Sequence, residues 1–83
     1  MKKVILVADD SPTIRKFVSI ALSVKGFEII SCSDGMEAME ILPNSKVDLV
    51  ITDLNMPNID GFELISSIRK NEAYKDLPII VLS

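Results

Sequence analysis

Short unbroken apolar runs alternate with helical periodicities along this chain. Val4 to Ala8 is a continuous apolar run, the mark of a strand covered on both faces. Ser11-Pro12 then offers an N-cap and a proline at the first helical position. Ile14, Phe17, Val18, Ala21 and Leu22 recur at the three-and-four spacing of one buried helical stripe, and Gly26 is the expected C-cap. A second strand is expected from Phe27 to Cys32. Asp34-Gly35 opens a short helix with Ala38, Ile41 and Leu42 on its inner face, closed by Pro43-Asn44. Val47 to Thr52 reads as a third strand. After a loop from Asp53 to Ile59, Asp60 and Glu63 have the spacing of a capping box. The helix they open has Phe62, Ile65 and Ile68 as its expected inner stripe, with Leu64 flanking. Pro78 to Leu82 reads as a fourth buried strand.

The order is therefore β-α-β-α-β-α-β. Strands joined by right-handed helical crossovers form a parallel sheet with helices on its faces. In such sheets a ligand sits beyond the carboxyl ends of the strands, where strand order reverses.

Composition narrows the function. With 83 residues, 48% of them hydrophobic and 25% charged, the chain has the profile of one small globular domain. Nine Lys and Arg against twelve Asp and Glu leave a net charge of −3, so no basic field exists for a phosphate backbone and direct nucleic-acid binding is disfavoured. No apolar run reaches membrane-spanning length, and the run after Lys2-Lys3 turns acidic at Asp9-Asp10 too soon for a signal peptide. Cys32 has no partner for an internal disulfide, and histidine is absent, which removes the commonest zinc ligand and general base. A reducing, cytoplasmic setting is expected.

The chemistry is expected at the strand ends. Asp9 and Asp10 follow the first strand and Asp53 the third. If those strands are neighbours, as in the flavodoxin-like order, three carboxylates converge on one sheet edge, since adjacent strands lie about 4.8 Å apart. So close together they repel, and either a proton or a cation must sit among them. An all-oxygen site of this kind suits Mg²⁺ or Mn²⁺ and not zinc. Asp53 also has the chemistry to attack phosphorus and form an aspartyl phosphate. Taken singly, Asp9 and Asp10 would only complement the positive N-terminus of the first helix.

Three stretches together resemble the receiver domain of two-component response regulators. They are Ile5-Leu6-Val7-Ala8-Asp9-Asp10-Ser11, then Asp53-Leu54-Asn55-Met56-Pro57-Asn58-Ile59-Asp60-Gly61, then Ile79-Ile80-Val81-Leu82-Ser83. The resemblance implies a flavodoxin-like sheet of order 2-1-3-4, with the family's fifth strand and last two helices absent from residues 1–83, the N-terminal two-thirds of a receiver. It implies that Asp53 is the phosphoacceptor, charged by a histidine kinase. Asp10 and Asp53 would bind Mg²⁺ directly, Asp9 through a water, and Asn55 through its backbone carbonyl. The Asn55 side chain would lie near the phosphoryl group, and the Ser83 hydroxyl would hydrogen-bond it. A downstream output protein or domain would read the change. Such a chain is a signalling module and not an enzyme. Arg15 would belong to the kinase-docking face.

Other functions fit less well. A truncated, non-switching interaction module would self-associate through the apolar edge of the fourth strand. A haloacid-dehalogenase-like phosphatase expects D-x-D after the first strand, whereas Asp9 and Asp10 are adjacent. A dinucleotide fold expects G-x-G-x-x-G after Val7. Cys32 is expected as core packing, Met36 and Met39 as gap-fillers or helix surface, and Arg15-Lys16 and Arg69-Lys70 as solvated helix faces.

Overall fold

A computed structural model describes residues 2–82. Four strands, β1 (Val4–Ala8), β2 (Glu28–Cys32), β3 (Leu49–Asp53) and β4 (Ile79–Leu82), alternate with helices α1 (Pro12–Val24), α2 (Gly35–Ile41) and α3 (Gly61–Lys70). The sheet is parallel, in the order β2-β1-β3-β4. This is the flavodoxin-like arrangement expected from the sequence. Strand order reverses between β1 and β3.

Each helix begins where a short polar side chain replaces the missing intrahelical bonds. Ser11 Oγ accepts from the Ile14 N–H at 3.3 Å ahead of Pro12. Asp34 Oδ1 accepts from Glu37 N–H, and Asp60 Oδ1 from Glu63 N–H, each at 2.9 Å. These caps fix the directions in which α1, α2 and α3 leave the sheet edge.

The two faces of the sheet bury alternate residues of the central strands. Leu6, Ala8 and Val50 pack with Ala38, Leu42, Leu64 and Ile68 beneath α2 and α3. Ile5, Val7 and Ile51 pack with Val18 and Leu22 beneath α1. Continuous apolar runs in β1 and β3 are therefore covered on both sides, as their pattern predicts.

Several expected faces are corrected. In α1, Val18 and Leu22 reach the sheet, but Phe17 is 71% exposed and Ile14 and Ala21 face outward. The helix rests on β1 and β2, so the side of its stripe turned toward β4 has nothing over it among the described residues. In α3 the buried positions are Gly61, Leu64 and Ile68, while Phe62 is 67% exposed. The fourth strand is not buried, because it lies at the sheet edge with Ile80, Val81 and Leu82 exposed. Arg15 is not a free surface charge: half-buried, it donates from Nη1 to the Asp9 carbonyl. Arg69 is exposed, as expected, and donates to the carbonyls of Tyr74 and Lys75, beyond the end of α3. The β2 and β3 spans begin at Glu28 and Leu49, later than the apolar runs suggest, because the preceding residues lie outside the ladder.

Candidate functional site

The register of β1 and β3 brings the acids together. Ala8 pairs with Thr52, so Asp9 and Asp53 come next at one level, on the side of the sheet that carries Val7 and Ile51. Asp10 follows as the chain turns into α1. One carboxylate oxygen from each of Asp9, Asp10 and Asp53 lies within 4.8 Å of the other two. Asp9 is buried, Asp53 half-buried and Asp10 exposed.

Backbone bonds orient two of these acids. The Asp9 N–H donates to the Cys32 carbonyl at 3.1 Å, and Asp9 Oδ1 accepts from the Ser11 N–H at 2.9 Å. Arg15 holds the Asp9 carbonyl at 2.6 Å from the first turn of α1. At β3, Asp53 Oδ1 accepts from Leu54 N–H at 2.7 Å and from Asn55 N–H at 3.4 Å. Thr52, fully buried, donates from its hydroxyl to the Asp53 carbonyl at 2.9 Å. Asp53 Oδ2 accepts no hydrogen bond among the described residues and keeps its lone pairs free.

The donor set is all carboxylate oxygen, with a charge of three if fully ionised. Hard divalent cations that tolerate water in their shell suit such a set, and thiolate or imidazole metals do not. The residues present therefore fit Mg²⁺ or Mn²⁺.

The loop after Asp53 is held against the same edge. Met56 is buried in the core beneath α2 and α3. Gly61 N–H donates to the Leu54 carbonyl at 3.0 Å, and a Cβ at Gly61 would collide with the Asp53 carbonyl. Only glycine lets α3 begin so close to the end of β3. Asn55 is exposed. Its N–H reaches Asp53, and its side chain makes no hydrogen bond among the described residues. Ser83 lies outside the described residues.

Beside the acids an open groove of about 500 Å³ has an apolar wall of Ile14, Phe17, Val18 and Leu82. Spacing alone did not reveal that wall, because Ile14 and Phe17 read as core. A second groove, of about 420 Å³, opens at the opposite end of the sheet between Lys46 and Lys75. It mixes charges and gathers no cluster of metal-ligating side chains among the described residues. Among the described residues, the metal-ligating cluster lies at the carboxyl edge.

Two contacts near the site have no local sequence signal: the Arg15 bond to Asp9 and a bond from Asn58 to Asp34. Cys32, at the end of β2, is buried, and desolvation first, then the charge of Glu37, pushes its thiol up to about 11. It packs in the core as expected and stays protonated at neutral pH.

Comparison with known proteins adds the family context. Residues 5–83 match the family model of the response regulator receiver domain. The chain is 42% identical over 77 residues to the CAI-1 autoinducer sensor kinase/phosphatase CqsS of Vibrio cholerae, covering 92% of this chain and 11% of that protein. The solved chemotaxis response regulator CheY4 of Vibrio cholerae matches with a TM-score of 0.93 and 36% identity, over 98% of this chain and 68% of that one. A chain in the complex of histidine kinase ThkA with response regulator TrrA matches with a TM-score of 0.89 and 42% identity, again over 98% of this chain and 68% of that one. The chain thus spans about a tenth of that curated relative and about two thirds of each solved chain.

Proposed function

The chain belongs to the response regulator receiver domain family, and from that membership we propose that Asp53 accepts a phosphoryl group from the phosphohistidine of a histidine kinase. Receiver domains are the signalling modules of two-component systems, not enzymes in the usual sense. The observation that carries the reading is the meeting of Asp9, Asp10 and Asp53 oxygens within 4.8 Å at the point where strand order reverses.

Asp53 Oδ2 is the nucleophile, because Oδ1 is already engaged by the Leu54 and Asn55 N–H groups. A P–O bond forms to Oδ2 as the P–N bond breaks. The departing imidazole nitrogen keeps that electron pair and takes a proton from solvent. Asp9, Asp10, Asp53 and the Asn55 carbonyl are the groups that would hold Mg²⁺ or Mn²⁺. When bound there, the ion supplies positive charge to the phosphoryl oxygens. The two backbone N–H bonds on Oδ1 hold the Asp53 carboxylate in one orientation, and Thr52 fixes the peptide behind it. The Ser83 hydroxyl would donate to a phosphoryl oxygen. A downstream output protein or domain would respond to the added charge.

Intact mass after mixing with Mg²⁺ and acetyl phosphate tests this reading. One phosphoryl adduct is expected, lost in Asp53→Asn and in the presence of a chelator. A folded chain that gains no adduct would refute it, and steady turnover of a free phosphoester would make the protein a phosphatase instead.

The exposed β4 edge favours a second role, an interaction or self-association module. Ile80, Val81 and Leu82 are 48%, 41% and 37% exposed on an edge strand, the kind of surface that pairs with another chain. Analytical ultracentrifugation separates the roles: a stable monomer that accepts phosphate leaves the first alone standing.

A further inference from the structure

The end of β2 and the β2–α2 connection are bonded to the two acid-bearing loops. On one side the Cys32 carbonyl accepts from the Asp9 N–H. On the other, Asp34 Oδ2 accepts from Asn58 Nδ2 at 2.7 Å, across 24 residues of sequence. The second oxygen of the same carboxylate, Oδ1, caps α2 by accepting from Glu37 N–H. Asp34 thus serves two elements at once. Next to it, Gly35 N–H donates to the Ile59 carbonyl at 3.0 Å, and a Cβ at Gly35 would collide with that carbonyl.

Asn58 is the single described residue other than glycine with a left-handed backbone, at φ 65°. Asparagine enters that region more readily than most residues. Strain of this kind persists where surrounding bonds over-determine the conformation, and the Asp34 bond is one of them. The Glu37 N–H first, and the Asn58 amide second, hold the Asp34 carboxyl below its ordinary range, so it is ionised at neutral pH and a full acceptor.

Resting on the phosphoacceptor role of Asp53, we infer that Asp34 and Asn58 are a positioning pair: their bond sets the loop that carries Asn55, and so the oxygen set offered to the divalent ion and the phosphoryl group. Neither residue hydrogen-bonds Asp9, Asp10 or Asp53 among the described residues. They act through the loop. Small displacements of a positioning loop can cost about a hundredfold in rate, so a bond far from phosphorus is enough to matter.

Two substitutions separate this role from simple folding. Asp34→Ser keeps a good N-cap on α2 but offers one oxygen instead of two. Asn58→Gly keeps the left-handed backbone but removes the amide. The measurements are the acetyl phosphate adduct rate against Mg²⁺ concentration, Mn²⁺ affinity by water-proton relaxation, and the thermal midpoint. Each variant is expected to need several-fold more Mg²⁺ and to bind Mn²⁺ several-fold more weakly, with a midpoint near wild type. The double variant should be no worse than either single one, because both remove the same bond. Asp34→Asn, which can bond Asn58 after an amide flip, should restore most of the rate. Variants that match a phosphorylatable wild type within twofold in both Mg²⁺ dependence and Mn²⁺ affinity would overturn the positioning role alone. A folded wild type that takes neither the ion nor the phosphoryl group would overturn the phosphoacceptor role and this pair with it.

Discussion

Asp9, just past the end of β1, and Asp53, the last residue of β3, stand level on adjacent parallel strands, because Ala8 pairs with Thr52 and each acid is the next residue along the chain. Strand side chains alternate, so a slip of one residue would send Asp53 to the face packed by α2 and α3. The core residues set that register: Val7 and Ile51 must face α1, and Leu6 and Val50 must face the other helices. Packing far from the chemistry therefore determines which carboxylates meet.

Asp10 is the acid that no described hydrogen bond engages, so Asp10→Asn isolates the electrostatics. Two like charges about 5 Å apart repel by about 1 kcal/mol in water, and screening lowers this further. Without divalent ions the variant is expected to melt up to a few degrees above wild type. With Mg²⁺ present the order should reverse, because an ion that binds only the folded chain stabilises it in proportion to its occupancy. Thermal melts with and without Mg²⁺ check this. Equal Mg²⁺-induced shifts in the two proteins would remove Asp10 from the metal set.

Gly61→Ala probes the contact between α3 and the end of β3. The added Cβ would collide with the Asp53 carbonyl and sit 2.7 Å from Leu54 Cα, so the backbone itself must give. Overpacking of this type costs about 1–3 kcal/mol. Because the displaced peptide is that of Asp53, the adduct rate should fall by about tenfold or more, even well below the melting temperature. An intact-mass time course checks it. A destabilised variant with an unchanged rate would show that α3 shifts and the acid does not.

The acidic cluster is legible in the chain because Asp9, Asp10 and Asp53 end apolar runs whose strand character is plain. The helix faces are less so. Ile14 and Phe17 share the spacing of Val18 and Leu22, but spacing reports that a face is apolar, not what lies over it. In α3 the buried stripe is Gly61, Leu64 and Ile68, and a glycine as its first member hides it from a hydropathy pattern. Phe62 takes its place on paper only. The Asn58 bond to Asp34 joins residues far apart in sequence, so no local motif could carry it.

Acid should loosen the β2–α2 connection. The Asp34 carboxyl is lowered from its ordinary 3.8, chiefly by the Glu37 N–H and then by Asn58. Glu37 is lowered from 4.5, chiefly by the Ser33 hydroxyl and then by the Ser33 N–H, with Arg15 helping and Asp34 opposing. For a carboxyl whose folded value is depressed, the stabilisation is complete above its ordinary value and disappears as pH falls through the lower, folded one. The stabilisation these two groups contribute is thus expected to hold down to about pH 5 and then fall as they protonate. In Asp34→Asn one of them no longer titrates, so its melting temperature should drop less steeply between about pH 5 and 3. Parallel acid slopes in the two proteins would contradict this.

The phase of α3 decides between two neighbouring substitutions. Leu64 is fully buried in the core shared with Leu6, Val50 and Ile68, whereas Phe62 is 67% exposed. Leu64→Ala removes buried methyl and methylene groups and leaves a cavity, at a cost of about 2–5 kcal/mol. A domain of this size has only about 4–12 kcal/mol in all, so the variant should be partly unfolded in mild urea. Phe62→Ala should stay within about 0.5 kcal/mol of wild type, as exposed substitutions do. Urea unfolding followed by circular dichroism measures both. Near-equal losses would mean that Phe62 is covered in solution, and a large loss at Phe62 alone would turn α3 by about one residue and move the N-terminal turn that packs on Asp53.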